Sequence, residues 1–268
     1  MQYGLIGEKL SHSYSPQIHR AFFEITGITG EYKLFELQKH ELQAFLNCSL
    51  QQGFRGLNVT IPYKSEVIPF MKQISPEAAK IGAVNTILLK GSLKGFNTDY
   101  FGIDYTLRKN RIQLSNIKAL ILGSGGAAKA VAAYLLDSGI ISLFIACRNP
   151  AATQEKFPSA QAISYDEIEN YHPFHLVINT TPVGMAPKPG VSPITSDQLK
   201  GTGFLFDLIY NPGQTELMKT ADRMGIPSVN GLYMLVAQAV KAQEIWNEEG
   251  YGLDMVDAIL RRMDEGLR

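Results

Sequence analysis

Cysteine is scarce in this chain, with two among 268 residues, Cys48 and Cys147. Two thiols exclude a disulfide framework and a cysteine-rich metal centre. Cys147 closes an apolar stretch and reads as core, while Cys48 falls in a helical one. A reducing compartment suits both, and a cytoplasmic location is expected. An excess of one charge is equally lacking, with 25 Lys+Arg against 25 Asp+Glu. No global field therefore draws the chain to nucleic acid or to an acidic membrane. No apolar run reaches the length of a transmembrane helix. The opening MQYGLIGEKLSHS has neither the basic start nor the apolar stretch of a secretory signal. Low-complexity tracts and short repeats are missing too. His172 and His175 stand without a cysteine or third ligand beside them, so no metal is expected. What remains is a soluble globular chain long enough for two domains; a small-molecule partner and a monomeric or homodimeric state are expected, though neither length nor composition fixes them.

The most informative segment present is ILGSGGAAKAVAAYLLDSG, residues 121–139. An apolar run from Ala119 to Leu122 ends in Gly123-Ser124-Gly125-Gly126-Ala127-Ala128, and a helical pattern then runs to Gly139. This is strand–turn–helix grammar for a dinucleotide. Gly123 permits the tight turn, Gly125 lets backbone approach a pyrophosphate, and Ala128 keeps helix and strand close. The helix N-terminus offers free N–H groups and the positive end of its dipole. A plain βα turn, or one holding S-adenosylmethionine, has a similar pattern. The next strand, Ser142–Cys147, discriminates between them. Its tip carries Arg148 and Asn149 where an acid would hold a ribose 2′-hydroxyl. A guanidinium there suits a 2′-phosphate, so NADP(H) is the expected cofactor.

Alternating strand and helix patterns predict an α/β fold with mainly parallel sheets. Strands are predicted at Tyr3–Ile6, Tyr32–Leu37, Leu57–Ile61, Ala83–Leu89, Leu93–Phe96, Leu176–Asn179 and Phe204–Asp207. Helices are predicted from Pro16 to Thr26 with Ser15 as N-cap, over Glu41–Gln52, from Pro62 until Pro69 ends or kinks it, and over Asp99–Lys109. Two more follow at Gly231–Glu249 and Leu253–Arg262. The polar stretch Asn110–Asn116 is a candidate domain boundary.

Polar segments in apolar surroundings stand out along the chain: SHSYSP (11–16), NVTIPYK (58–64), GAVNT (82–86) and GFNTD (95–99), then NTTPVGM (179–185), DLIYNPGQT (207–215) and NGLYMLVAQA (230–239). Three of the first four follow directly on strand patterns, where ligands of open α/β sheets gather. In this order, over nearly the whole length, these motifs resemble the shikimate dehydrogenase family. The resemblance implies an N-terminal α/β substrate domain and a Rossmann-like NADP-binding domain with a cleft between. The substrate domain would span residues 1–105, with helices 238–268 packing back on it, and the nucleotide domain residues 106–237. The implied reaction is reversible NADPH-dependent reduction of 3-dehydroshikimate to shikimate, in aromatic amino-acid (chorismate) biosynthesis.

The resemblance also distributes roles. Lys64 becomes the catalytic proton donor and Asp99 its carboxylate partner. Without a metal to polarise a ketone, a cationic donor is what such a reduction needs. From the residues alone, Lys64 could equally be a solvated lysine in a first helical turn, though a cation is unfavourable there. Ser13 and Ser15 match the substrate-carboxylate site, with Tyr210 closing over it. Thr60, Asn85 and Gln238 match the remaining polar contacts to the substrate. Gly123, Ser124, Gly125, Gly126, Ala127, Arg148, Asn149, Thr181, Leu208, Gly231 and Met234 match the cofactor site. His12 is expected near the substrate without a catalytic role. Two departures stand out. Family members preferring NADP often carry a second arginine a few residues after the first, where this chain has Pro150-Ala-Ala-Thr153, and Tyr100 stands where glycine is frequent. An NAD-using quinate/shikimate dehydrogenase and a non-enzymatic NADP-binding regulator stay open as alternatives. The hydroxyl side chains at 13, 15 and 60 favour shikimate over quinate, and the Lys64/Asp99 pair favours an enzyme.

Overall fold

The computed structural model describes residues 1–11 and 13–266. The chain forms two compact units. The first is Met1–Thr106 with the chain from Leu235 on; the second is Leu107–Met234. In chain order the first unit opens with β1 (Gln2–Gly7), α1 (Ser15–Thr26), β2 (Glu31–Glu36), α2 (Leu42–Gln51) and β3 (Phe54–Val59). It continues through β4 (Gln73–Ile74), α3 (Pro76–Ile81), β5 (Thr86–Leu89), β6 (Leu93–Phe96) and α4 (Asp99–Lys109). The second unit runs through β7 (Lys118–Leu122), α5 (Gly126–Asp137), β8 (Ser142–Ala146), α6 (Pro150–Lys156), β9 (Gln161–Ile163) and β10 (Leu176–Asn179). Then come α7 (Ser196–Leu199), β11 (Phe204–Asp207), α8 (Glu216–Arg223) and β12 (Ser228–Val229), followed by α9 (Leu232–Asn247) and α10 (Gly252–Gly266). The chain passes between units inside α4 and α9, so the polar stretch Asn110–Asn116 lies within the second unit and marks no boundary.

The first sheet has the order β2-β1-β3-β5-β6-β4. Its β1 pairs parallel with both β2 and β3, and β5 is antiparallel to β3 and β6. Charged β2 (EYKLFE) sits at the edge, where unpaired backbone is best guarded by polar side chains. The core beneath holds Leu42 and Leu46 of α2 against Ile6, Leu57 and Val59. Trp246 of α9 is fully buried and donates its indole N–H to the Ile87 carbonyl at 2.9 Å. It lies over Gly56, where a Cβ would come within 2.1 Å of the ring nitrogen. Helix α10 packs on α1, with Arg262 paired to Glu24 at 2.9 Å.

The second sheet is all parallel, in the order β12-β11-β10-β7-β8-β9. That is a doubly wound sheet whose strand order reverses between β7 and β10. Strands such as KALIL, LVIN and FLFD are almost wholly buried, as expected of parallel strands covered on both faces. Ala128, 0% exposed, lets α5 lie close on the sheet.

Two local expectations are corrected. Pro62 opens no α-helix: residues 61–67 form successive turns and a 3-10 turn follows at Ile68–Phe70. Pro69 lacks a backbone N–H, so no helix opened at Pro62 can run on through it. Lys64 therefore stands in a turn and not in a helical first turn. Ser15 is likewise not the N-cap of α1. It is the first helical residue, and its N–H is bound at 3.2 Å by the Ser13 hydroxyl oxygen, so Ser13 supplies the capping side chain just ahead of the helix.

Candidate active site

In the first unit, polar side chains from strand ends converge into one hydrogen-bonded chain. The turn after β3 presents Lys64, whose backbone carbonyl is tied to Val84 N–H at 2.7 Å. Its Nζ lies 2.6 Å from Asp99 Oδ2, at the start of α4. The other carboxylate oxygen, Asp99 Oδ1, accepts from Asn85 Nδ2 at 2.9 Å. Asn85 Oδ1 in turn accepts from Thr98 N–H at 2.7 Å and from the Thr86 hydroxyl at 3.1 Å. Asn58 continues the line, donating to Thr86 Oγ1 at 3.1 Å and accepting from the Tyr32 phenol at 2.7 Å. The Ser15 hydroxyl hydrogen-bonds that phenol, which burial pushes well above its ordinary pKa. Gln238 of α9 joins through its Oε1, 3.2 Å from Thr98 Oγ1, which leaves its amide N–H groups to donate elsewhere.

Asn85 and Thr86 are buried, whereas Lys64 keeps 31% of its side chain exposed and Asp99 18%. The reactive end of the line therefore opens to a ligand while its wiring is sealed in. Buried networks of this kind are stiff when every member is satisfied. Lys64, Asp99 and Asn85 are brought together directly, Gln238 through Thr98, and Ser15 through Tyr32 and Asn58. Thr60 caps β3, with N–H donated to Ile6 O at 3.0 Å. Its hydroxyl has no partner among the described residues. His12 lies outside the described residues, and Tyr210 belongs to the second unit, half-buried.

Asn58, Thr86, Thr98, Tyr32 and His19 are members of this network that the motifs alone do not single out. His19 is 1% exposed, stacks on Tyr32 at 4.0 Å between centroids, and accepts from Gln243 Nε2 at 2.8 Å. Burial lowers its pKa to about 3, opposed only by Asn58. A lowered folded-state value means that its stabilising contribution is complete above the unfolded value near 6.5 and fades as pH falls toward 3. His19 alone is expected to cost about 2 kcal/mol of stability between pH 7 and pH 5. Urea unfolding at both pH values checks this. His19→Gln should flatten the dependence, and equal slopes for the two proteins would assign the acid loss elsewhere.

The second unit holds the glycine turn. Gly123 follows β7 with φ +94, and a Cβ there would meet Thr181 Cγ2 at 2.8 Å. Only glycine satisfies both conditions. Gly125 is the N-cap of α5, with no side chain capping the helix, and positions 125 and 126 face open space. Ser124 is half-buried, while Ala127 is exposed. The first-turn N–H groups are thus free to receive an anion. A cavity of about 630 Å³ lies beside them, lined among others by Gly123, Arg148, Thr181 and Tyr165. Arg148 is exposed and has no hydrogen bond or ion pair among the described residues. Asn149 uses its Oδ1 to cap α6, accepting from Ala152 N–H at 3.2 Å. The turn, the uncapped helix start and the free cation together suit a phosphorylated dinucleotide.

Asp207, fully buried at the end of β11, braces the loops around this cavity. It accepts from Asn179 Nδ2 at 2.9 Å, Ile209 N–H at 3.1 Å and the Thr215 hydroxyl at 2.7 Å. Burial raises its pKa and these three donors oppose that rise. Asn179 Oδ1 then holds Thr181 through both its N–H and its hydroxyl, at 3.0 and 2.7 Å. Leu208 N–H is bound to Asn179 O at 3.0 Å and Gly231 N–H to Ile209 O at 3.0 Å; Met234 ends the unit, half-buried. The close approach that Gly231 permits is to this chain's own Leu208. Among the described residues no group of three His, Cys, Asp or Glu side chains could hold a metal ion. His172 contacts the Gln198 carbonyl and His175 accepts from Lys118 N–H. No helix among the described residues is long and apolar enough to cross a membrane.

The family described as "Shikimate dehydrogenase substrate binding domain" matches residues 5–87. A shikimate dehydrogenase (NADP(+)) of Clostridium beijerinckii is 44% identical over 248 residues, 92% of either chain. The solved chorismate mutase/shikimate 5-dehydrogenase fusion protein of Clostridium acetobutylicum superposes with TM-score 0.95 at 44% identity, covering 99% of this chain and 97% of that one. A shikimate 5-dehydrogenase of Thermus thermophilus, solved with NADP(H) and shikimate, gives TM-score 0.87 at 32% identity, covering 97% of this chain and 99% of that one.

Proposed function

The chain belongs to the shikimate dehydrogenase family, and from that premise we propose that it catalyses the reversible NADPH-dependent reduction of 3-dehydroshikimate to shikimate. The observation that carries this reading is the Lys64–Asp99 pair at 2.6 Å, with Asn85 on the second carboxylate oxygen and the lysine still open to a ligand.

Bound NADPH would supply the hydride. The chain's own residues do the rest. Lys64 Nζ donates to the ketone oxygen, stabilises the negative charge that develops there and passes it a proton. Asp99 orients Lys64 and accepts from a substrate hydroxyl. Asn85, locked by Thr98 and Thr86, presents its amide to the same ring edge, and Gln238 and Thr60 supply further polar contacts. Ser13 and Ser15 hold the substrate carboxylate at the start of α1, where the helix dipole favours an anion. For the cofactor, Gly123 to Ala127 cradle the pyrophosphate and Arg148, with Asn149, takes the 2′-phosphate. Thr181, Leu208, Gly231 and Met234 wall the nicotinamide end. Two free cysteines and no membrane-spanning helix among the described residues support the cytoplasm as its place.

Absorbance of the reduced nicotinamide tests the reading, with shikimate or quinate as substrate and NADP+ or NAD+ as oxidant. Shikimate with NADP+ is expected to give the highest kcat/KM, roughly tenfold or more above NAD+, the value of one charge-assisted contact. No shikimate oxidation with either cofactor would end the reading. Quinate with NAD+ as the best pair would replace it by the quinate/shikimate alternative.

A further inference from the structure

The 2′-phosphate clamp is thin if Arg148 must act alone. The first turn of α6, Pro150-Ala-Ala-Thr153, contains no cation, and Thr153 is buried. The first positive side chain after Arg148 is Lys156, at the far end of that helix. A second residue with a donor group lines the same cavity from another element. Tyr165 begins the 3-10 turn that follows β9 and lines the cavity together with Arg148.

Its placement is built and not incidental. Ser164 and Glu167 form a reciprocal capping box that fixes the start of the turn, with Ser164 N–H 2.7 Å from Glu167 Oε2. Gln198 Nε2 binds the Tyr165 carbonyl at 2.7 Å, and the ring packs against the core of the second unit. The hydroxyl has no hydrogen-bond partner among the described residues. Burial keeps the phenol above its ordinary pKa, while the Arg148 guanidinium is near enough to pull the other way. The group is therefore a protonated donor at neutral pH, beside a free cation and aimed at no partner of its own. Both residues line the one cavity, so an anion held there meets a cation and a phenol together.

Resting on the NADP reading above, we infer that the Tyr165 hydroxyl is the second ligand of the cofactor's 2′-phosphate and does the work of the missing second arginine. An adenine-stacking role alone would use the ring and not the oxygen, so Tyr165→Phe separates the two.

The test is calorimetric binding of adenosine 2′,5′-bisphosphate and of adenosine 5′-monophosphate to wild type and to Tyr165→Phe, with kcat/KM for NADP+ and NAD+ alongside. The variant is expected to bind the bisphosphate about tenfold more weakly and the monophosphate unchanged, as for the loss of one hydrogen bond to a charged group. The kcat/KM should fall for NADP+ only. Unchanged binding of both, or equal weakening of both, overturns the assignment of Tyr165. A wild type that does not distinguish the two nucleotides instead overturns the NADP reading itself, so the two failures are told apart.

Discussion

Lys64→Ala should lower kcat on the order of 10³- to 10⁴-fold, with a much smaller change in KM for shikimate. One nitrogen holds both jobs that ketone reduction requires of the protein, stabilising the oxyanion and delivering the proton. No other cation among the described residues of the first unit is held on Asp99, and Asn85 can donate a hydrogen bond but not a proton. The fold should survive the change. Lys64 is partly exposed in a turn, and the bond from its carbonyl to Val84 N–H is backbone and stays. Asp99 keeps Asn85 and its position at the start of α4, where a carboxylate is favoured. Asp99→Asn should cost less, roughly 10- to 100-fold, because Lys64 is then misoriented but present. Steady-state kinetics on each variant, with urea midpoints as a control for folding, decide the matter. Near-wild-type kcat from Lys64→Ala would remove the residue from the chemistry.

Those two residues are legible from the motifs, but the wiring that holds them is not. Asn58, Thr86 and Thr98 stand inside the recognised NVTIPYK, GAVNT and GFNTD segments, and nothing local says that they join. Their partners are remote in sequence: Tyr32 is 26 residues from Asn58 and Gln238 is 140 from Thr98. Gln238 looks like a surface residue on helix periodicity, and only the fold turns it toward Thr98. His19 reads as a bland helical histidine until its stacking on Tyr32 is seen.

The fold divides the same way. Strands β10 and β11 and helix α4 have the ends that their patterns predict, because those patterns are clean and flanked by polar residues. Strands β4, β9 and β12, of two or three residues, are too short to display an alternation. The segment after Pro62 departs for a different reason. Its apolar spacing suits a helix, but Pro69 withdraws the backbone donor that would carry the helix on. The glycine turn is readable because steric demands are local. Gly123 needs a left-handed backbone angle, which the turn between its own strand and helix demands, whereas its clearance is set by the remote Thr181 and is seen only in the fold.

Gly231→Ala is the second large effect expected. The added Cβ would lie 2.0 Å from Leu208 O and 2.6 Å from Leu208 C. Both are backbone atoms, so no side-chain rotation relieves the overlap. Leu208 is held by its N–H to Asn179 O at 3.0 Å, and Gly231 by its own N–H to Ile209 O at 3.0 Å. Ile209 N–H is in turn bound to the buried Asp207 at 3.1 Å. Relief must therefore break or stretch buried hydrogen bonds on one side or the other. The cost should reach about 3 kcal/mol, at the upper end of overpacking. The displacement would also reach the Asn179–Thr181 brace, so KM for NADP+ should rise together with the loss of stability. Gly213→Ala, in the loop after β11 that carries Leu208, is the matched control: its Cβ would meet nothing within 4 Å, and its stability should stay within about 0.5 kcal/mol of wild type. Urea unfolding and cofactor KM on the two variants make the comparison. Equal behaviour would mean that the Leu208 backbone yields freely, and Gly231 would then be dispensable to the cofactor loop.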